Sequence, residues 1–192
     1  MVLGGAGVTC TKSTVGLGAV GSKLTVTKTA TCSIAGAIHA GDATAVAAFS
    51  AFGTAYTAVE AKTCSPANNL TGQALGGKTL APGVYCFNKT AGLTSGILTL
   101  AGPSSGVWVF QVGTGLTTAA SQVVMASGGQ ACNVYWALGT TGTIGTGSKF
   151  QGNLLAGSSL VGRALAKTAV TMTGTNLRLP SNWDASTCRQ TP

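Results

Sequence analysis

Leu80-Ala81-Pro82-Gly83-Val84-Tyr85-Cys86-Phe87 opens the run of short β-prone strips that decides the fold. The run continues through Gly96-Ile97-Leu98-Thr99-Leu100, Val107-Trp108-Val109-Phe110, Gln122-Val123-Val124-Met125 and Asn133-Val134-Tyr135-Trp136-Ala137-Leu138. Gly152-Asn153-Leu154-Leu155-Ala156, Gly162-Arg163-Ala164-Leu165-Ala166 and Ala169-Val170-Thr171-Met172 extend it. Glycine and other small residues separate the strips, and glycine makes tight corners at little steric cost. Trp136, Leu154 and Met172 stand eighteen residues apart, a spacing compatible with one triangular turn of a β-solenoid. Short strips and repeated corners favour a helical stack of strands over an immunoglobulin-like sandwich. Trp108 and Trp136, inside strips, are expected in its core; Trp183 follows Pro180-Ser181-Asn182 and is expected to pack a tail or meet another protein.

Upstream of the strips the period changes. Residues 23–34 alternate Leu24 and Val26 with Thr25 and Thr27, the pattern of a strand with one exposed face. Beyond them, Asp42 is placed to cap a helix over residues 43–62. Val46, Phe49, Phe52, Tyr56 and Val59 then recur at three- and four-residue intervals as an apolar stripe, and eight alanines favour the same helix. Lys62 suits the negative end of the helix dipole. One greasy side must lie against something, and a solenoid flank would bury it. The 192 residues read as a single domain. Its parts are a capping region over 1–35, the flanking helix over 43–62 and a tail over 175–192.

Charge is scarce. Eleven Lys and Arg face only three acidic residues, Asp42, Glu60 and Asp184, for a formal charge of +8. The cations are scattered singly rather than clustered, and no aromatic–basic stripe follows a phosphate backbone, so nucleic acid is not an expected partner. His39 is the sole histidine, and beside Asp42 it supports the start of the helix rather than a catalytic pair. No paired carboxylates and no close metal-ligand spacing occur, so neither a cofactor nor a catalytic residue is expected. Cys10, Cys32, Cys64, Cys86, Cys132 and Cys188 are even in number and form no CxxC pair. They point to structural disulfides in an oxidising compartment, with fifteen complete pairings open. No apolar run approaches the length of a membrane span. The start lacks a signal peptide's basic and apolar regions, as expected of a mature exported chain.

Several ordered motifs resemble the bacterial and fungal ice-binding protein family. They begin at Gly36-Ala37-Ile38-His39-Ala40-Gly41-Asp42 and include Leu70-Thr71-Gly72-Gln73-Ala74-Leu75-Gly76-Gly77 and Leu80-Ala81-Pro82-Gly83-Val84-Tyr85. Val107-Trp108-Val109-Phe110-Gln111-Val112-Gly113 and Gln130-Ala131-Cys132-Asn133-Val134-Tyr135-Trp136 are also similar. So are Gly145-Thr146-Gly147-Ser148-Lys149-Phe150 and Gly162-Arg163-Ala164-Leu165-Ala166. The resemblance implies a mostly β fold: a discontinuous right-handed β-solenoid of roughly triangular section with one long α-helix alongside. It departs from the family at the N-terminus and in cysteine number. Only Gly157-Ser158-Ser159-Leu160-Val161 separates two strips that the family sets further apart, so one turn is expected to be short.

The implied function is non-enzymatic adsorption to ice or ordered water by a secreted or surface-associated protein. A broad rigid face with methyl groups and modest hydrogen-bonding capacity suits that target, and threonine supplies both. The candidate contributors are Thr117, Thr118, Ser121, Thr141, Thr143, Thr146, Ser148, Thr168, Thr171 and Thr173. The alternative is an extracellular structural or adhesive subunit whose partners are copies of itself or another cell-surface protein.

Overall fold

Nearly every strand pairs in parallel with a strand one coil away, which makes the fold a β-solenoid. The computed structural model describes residues 2–11, 14–15, 19–145, 147–157, 159–161, 165–166, 169–173, 176–177, 183–184 and 189–190. Residue 14 and those from 159 onward are described as backbone. Eight strands form the first face, in the order Ile38–Ala40, Val20–Ser22, Val2–Gly4, Leu165–Ala166, Asn153–Ala156, Val134–Leu138, Trp108–Val112 and Gly83–Phe87. Seven form the second face: Ala91–Leu93, Leu116–Thr118, Gly142–Ile144, Ser159–Val161, Ala169–Thr173, Gly7–Thr11 and Thr25–Lys28. The third face is split into two three-stranded pieces. One holds Thr79–Leu80, Gly96–Ala101 and Ser121–Ala126; the other holds Ser33–Ile34, Thr14–Val15 and Asn176–Leu177.

The split has a simple cause. Between Asn153–Ala156 and Leu165–Ala166 the described residues visit the second face once, at Ser159–Val161, and contribute no strand to the third. This is the short turn expected from the sequence. The eighteen-residue spacing held for only part of its length. Trp136 and Leu154 share one inward row, but Met172 lies on the second face opposite Cys10, because the short turn removes a side from the triangle.

The strand order is also discontinuous. The first coil stacks onto the last and the second onto the first, while the coil that directly follows the helix lies at the other end of the stack. The region expected as a cap therefore carries strands in all three faces, and residues 176–177 of the expected tail belong to the third. Further on, Trp183–Asp184 pairs antiparallel with Arg189–Gln190.

The helix Ala43–Glu60 is the return path that this order demands. Eighteen residues at about 1.5 Å each give ~27 Å, and the first face is seven inter-strand steps of about 4.8 Å wide, or ~34 Å. One outward row runs beneath it: His39, Gly21, Leu3, Leu165, Leu155, Ala137, Gln111 and Cys86. Phe52 and Tyr56 pack with Leu3, Ala137 and Leu155. Burying a side chain such as Phe52 contributes roughly 1.5–3 kcal/mol. The Tyr56 hydroxyl donates to the Leu138 carbonyl at 3.0 Å, a bond worth about 1 kcal/mol net. Burial, with Glu60 adding, pushes the Tyr56 phenol above its ordinary pKa.

Two expectations for the helix need correction. Val46 is 46% exposed, and Ala45 takes the buried position. There the helix crosses Gly21, and a Cβ on that glycine would stand 3.8 Å from the Ala45 methyl group and 3.1 Å from Leu3 Cδ1. At the far end the work expected of Lys62 falls to Gln111, whose Nε2 donates to the carbonyls of Val59, Glu60 and Lys62.

The interior is a ladder of like on like. Tyr85, Phe110, Trp136 and Leu154 share one inward row. Phe110 lies 5.5 Å from Tyr85 and 3.8 Å from Trp136, stacked on both. Trp108 and Trp136 are fully buried, as expected, and their indole N–H groups donate to the carbonyls of Leu80 and Gln151. Two bridges pin coil to coil, Cys10–Cys32 and Cys64–Cys86. Cys132 is disulfide-bonded as well, while Cys188 lies outside the described residues.

Corners permit little change. A Cβ on Gly139 would overlap the Gly113 carbonyl oxygen of the adjacent coil. Ala120 sits at φ 44°, a left-handed conformation that costs an L-residue roughly 1–2 kcal/mol. Gly139→Ala is expected to destabilise by about 1–3 kcal/mol through forced backbone movement. Ala120→Gly should stabilise by about 0.5–1 kcal/mol, once the entropy cost of glycine is subtracted. Thermal unfolding followed by circular dichroism checks both; equal effects of one sign would contradict the corner geometry.

Candidate functional site

Among the described residues, only the second of the three faces is both continuous and uncovered. The helix lies on the first, and the short turn breaks the third. Parallel register sets residues of successive coils side by side, so the second face presents straight rows.

The central row reads Gly92, Thr117, Thr143, Val161, Thr171, Thr9 and Thr27. Its alternation fixes the orientation. Val8 and Leu116, one residue away, are 1% exposed and belong to the core, so Thr9 and Thr117 turn outward and are exposed, as are Thr143 and Thr27. A flanking row holds Thr25, Gly7, Ala169 and Ser159, and on the other side Thr11 pairs with Thr173. Neighbours within a row stand about 4.8 Å apart and rows about 6.6 Å apart, as strand geometry dictates. None of these residues is charged. Threonine is restricted at χ1 by its branched β-carbon, so each methyl and hydroxyl has little freedom left to lose on contact.

The structure sorts the nominated residues. Thr117 and Thr143 are exposed in the central row, Thr171 occupies a backbone position in it, and Thr141 is exposed just ahead of Gly142–Ile144. Thr173 belongs to the neighbouring row. Thr118 and Ser121 are corrections: they are 1% and 5% exposed and face the interior, because strand alternation turns Thr118 inward when Thr117 points out. Thr118 donates from Oγ1 to the half-buried Ser148 Oγ at 2.9 Å, so Ser148 supports the corner rather than the face. Thr146 and Thr168 lie outside the described residues.

Thr9, Thr25 and Thr27 were missed. Their signal was in the chain, since Thr25 and Thr27 alternate with Leu24 and Val26, and Thr9 and Thr11 alternate with Val8 and Cys10. What could not be read was that these early strands dock beside residues 169–173.

His39 and Asp42 form a helix start. The Asp42 carboxylate accepts from the Ala45 N–H at 2.8 Å through Oδ1 and meets His39 Nδ1 at 2.7 Å through Oδ2. The Ala45 N–H first, then His39, hold the carboxyl below its ordinary value of 3.8. Among the described residues no group of three or more His, Cys, Asp or Glu side chains is placed to hold a metal ion.

A group whose folded pKa is depressed stabilises above its unfolded value and loses that contribution as pH falls through the folded value. Helix stability should therefore decline below about pH 4 as Asp42 protonates. Asp42→Asn should retain capping and flatten that acid limb, while Asp42→Ala should destabilise at neutral pH. Urea unfolding at stepped pH reads both; an unchanged acid limb in Asp42→Asn would contradict the assignment.

Comparison with known proteins places these features among relatives. The family model described as Ice-binding-like matches residues 1–178. An ice-binding protein of Nostoc sp. (strain HG1) is 46% identical over 119 residues, covering 56% of this chain and 44% of that protein. Ice-binding protein K1-A of Typhula ishikariensis is 42% identical over 108 residues, covering 54% and 43%. The chain thus spans less than half the length of these curated relatives. Among solved structures, an ice binding protein from an Antarctic biological consortium superposes with a TM-score of 0.84 at 30% identity, covering 91% of this chain and 85% of that one. The ice-binding protein of the Antarctic ascomycete Antarctomyces psychrotrophicus gives 0.79 at 34% identity, covering 91% of both.

Proposed function

Since the chain belongs to the Ice-binding-like family, we propose that it adsorbs to ice, without catalysis, through the seven-stranded threonine face. The observation that carries this reading is the central row, where exposed Thr117, Thr143, Thr9 and Thr27 stand in register with no charge in the rows.

The physical mechanism follows from that arrangement. Ordered water at an ice surface offers hydrogen-bonding sites on a fixed lattice with gaps between them. Hydroxyls at fixed spacing engage the sites, and the γ-methyl groups sit in the gaps. Charged side chains would each organise a private hydration shell and disrupt that match. Because the backbone is locked by parallel pairing and threonine has few rotamers, adsorption costs little conformational entropy. Many weak contacts then sum over a face of seven strands, where a mobile loop would spend most of their gain on ordering.

Export fits the same reading. Disulfides such as Cys10–Cys32 and Cys64–Cys86 persist in oxidising compartments, where extracellular ice would be met.

Replacing Thr9 and Thr143 together by tyrosine should abolish ice-crystal shaping and sharply lower thermal hysteresis. Unfolding free energy should change by less than about 0.5 kcal/mol, as for ordinary surface sites. Thr54→Lys, on the exposed side of the helix, should leave hysteresis intact. Wild-type hysteresis in the double variant, or its loss in Thr54→Lys, would reject this face; absence of any ice effect in the folded wild type would reject the function.

A further inference from the structure

The inward rows of the stack lose their cover at one end. Val8 is 1% exposed and Val20 fully buried, yet their partners in the outermost layer differ: Val26 is half-buried and Ile38 is 47% exposed. Ile34, the partner of buried Val15, is also only half-buried. Leu24 at the adjoining corner is 63% exposed. The strands of this layer, Thr25–Lys28, Ser33–Ile34 and Ile38–Ala40, are each the outermost member of a sheet. Among the described residues each offers an edge without a strand beside it.

The opposite end is built differently. The turn Pro66–Asn68 and the segment after it lie across that end. Leu70 N–H donates to the Cys86 carbonyl, Leu75 N–H to Gly92, and Asn68 Nδ2 to Val84, while Leu70 and Leu75 are buried. Among the described residues, one end has a lid made from this chain and the other shows its core.

We propose that a second copy of this chain covers the open end, related by a two-fold axis that pairs Thr25–Lys28 antiparallel with its own copy. A two-fold axis perpendicular to the stack reverses strand direction, so each edge meets its mate antiparallel, the slightly stronger pairing. Thr25–Lys28 is the longest of the three edges and gains most from such a partner. The end also carries both signs of charge. Lys23 and Lys28 are exposed there, and so is Asp42, one of only three acidic residues in the chain. Antiparallel register sets Lys28 against the copy's Thr25, so like charges do not meet.

The pairing sets two threonine faces side by side as one surface. It stands independently of what that surface adsorbs to. A single solenoid cross-section is small beside the ~800 Å² per partner of a stable interface, so the dimer is a weak one.

Sedimentation equilibrium of the whole protein from about 10 μM to about 1 mM tests this. A reversible species of twice the monomer mass is expected, with Ile38→Lys weakening it at least about tenfold. Leu24→Glu, at a site already exposed, should weaken it too without touching the fold. A monomer throughout the range, or a dimer whose dissociation constant neither variant moves, would overturn the proposal. So would a monomer whose Val26 and Ile38 amides exchange as slowly as interior strands, since the chain's own residues would then cover the end.

Discussion

One row of eight residues under the helix determines whether this solenoid can close. After its second coil the chain stands at one end of the stack, and the next strand it must supply lies at the other. The helix Ala43–Glu60 carries it across, and seven positions in the row beneath serve that crossing. His39 meets the capping Asp42, Gly21 lies beneath Ala45, and Leu3, Ala137 and Leu155 receive Phe52 and Tyr56. Gln111 binds the last carbonyls, and Cys86 ties down the segment that follows. A polar start, an apolar middle and a polar, covalently tied end are what a surface helix needs when it bridges instead of merely packing.

The threonine face is a product of this return. Its strands come from both halves of the chain: Gly7–Thr11 and Thr25–Lys28 precede the helix, and the other five follow it. The junction falls within the face, where Thr9 stands beside Thr171. The short connection between Asn153–Ala156 and Leu165–Ala166 leaves the second face unbroken, and the third is divided. The proposed adsorbing surface therefore keeps all seven strands in spite of the shortened coil.

Local physics was legible in the sequence and long-range order was not. The strips, the glycine corners, the helix and its Asp42 cap all rest on contacts within a few residues, and each was readable. Trp108 and Trp136 could be assigned to the core because a strip with small corners leaves a large aromatic nowhere else to go. The stripe failed at Val46 because which of Val46 and Ala45 is buried depends on how the helix lies on the assembled first face. Thr118 and Ser121 were misplaced for a related reason. Their composition suits the face, but inward or outward is set by register, and a shift of one residue reverses it. Thr9 and Thr27 were hidden by topology, since no local signal says that the first coil docks on the last.

The central claim is that the early coils are integral to the stack and complete its threonine face. Native-state hydrogen exchange tests it most directly, by comparing opening free energies at Val8 and Cys10 with those at Phe110 and Trp136. Agreement within about 1 kcal/mol is predicted, because strands that share one core should open together. Exchange of the early strands at far lower energy, with the later coils still protected, would show a detachable cap and contradict the account.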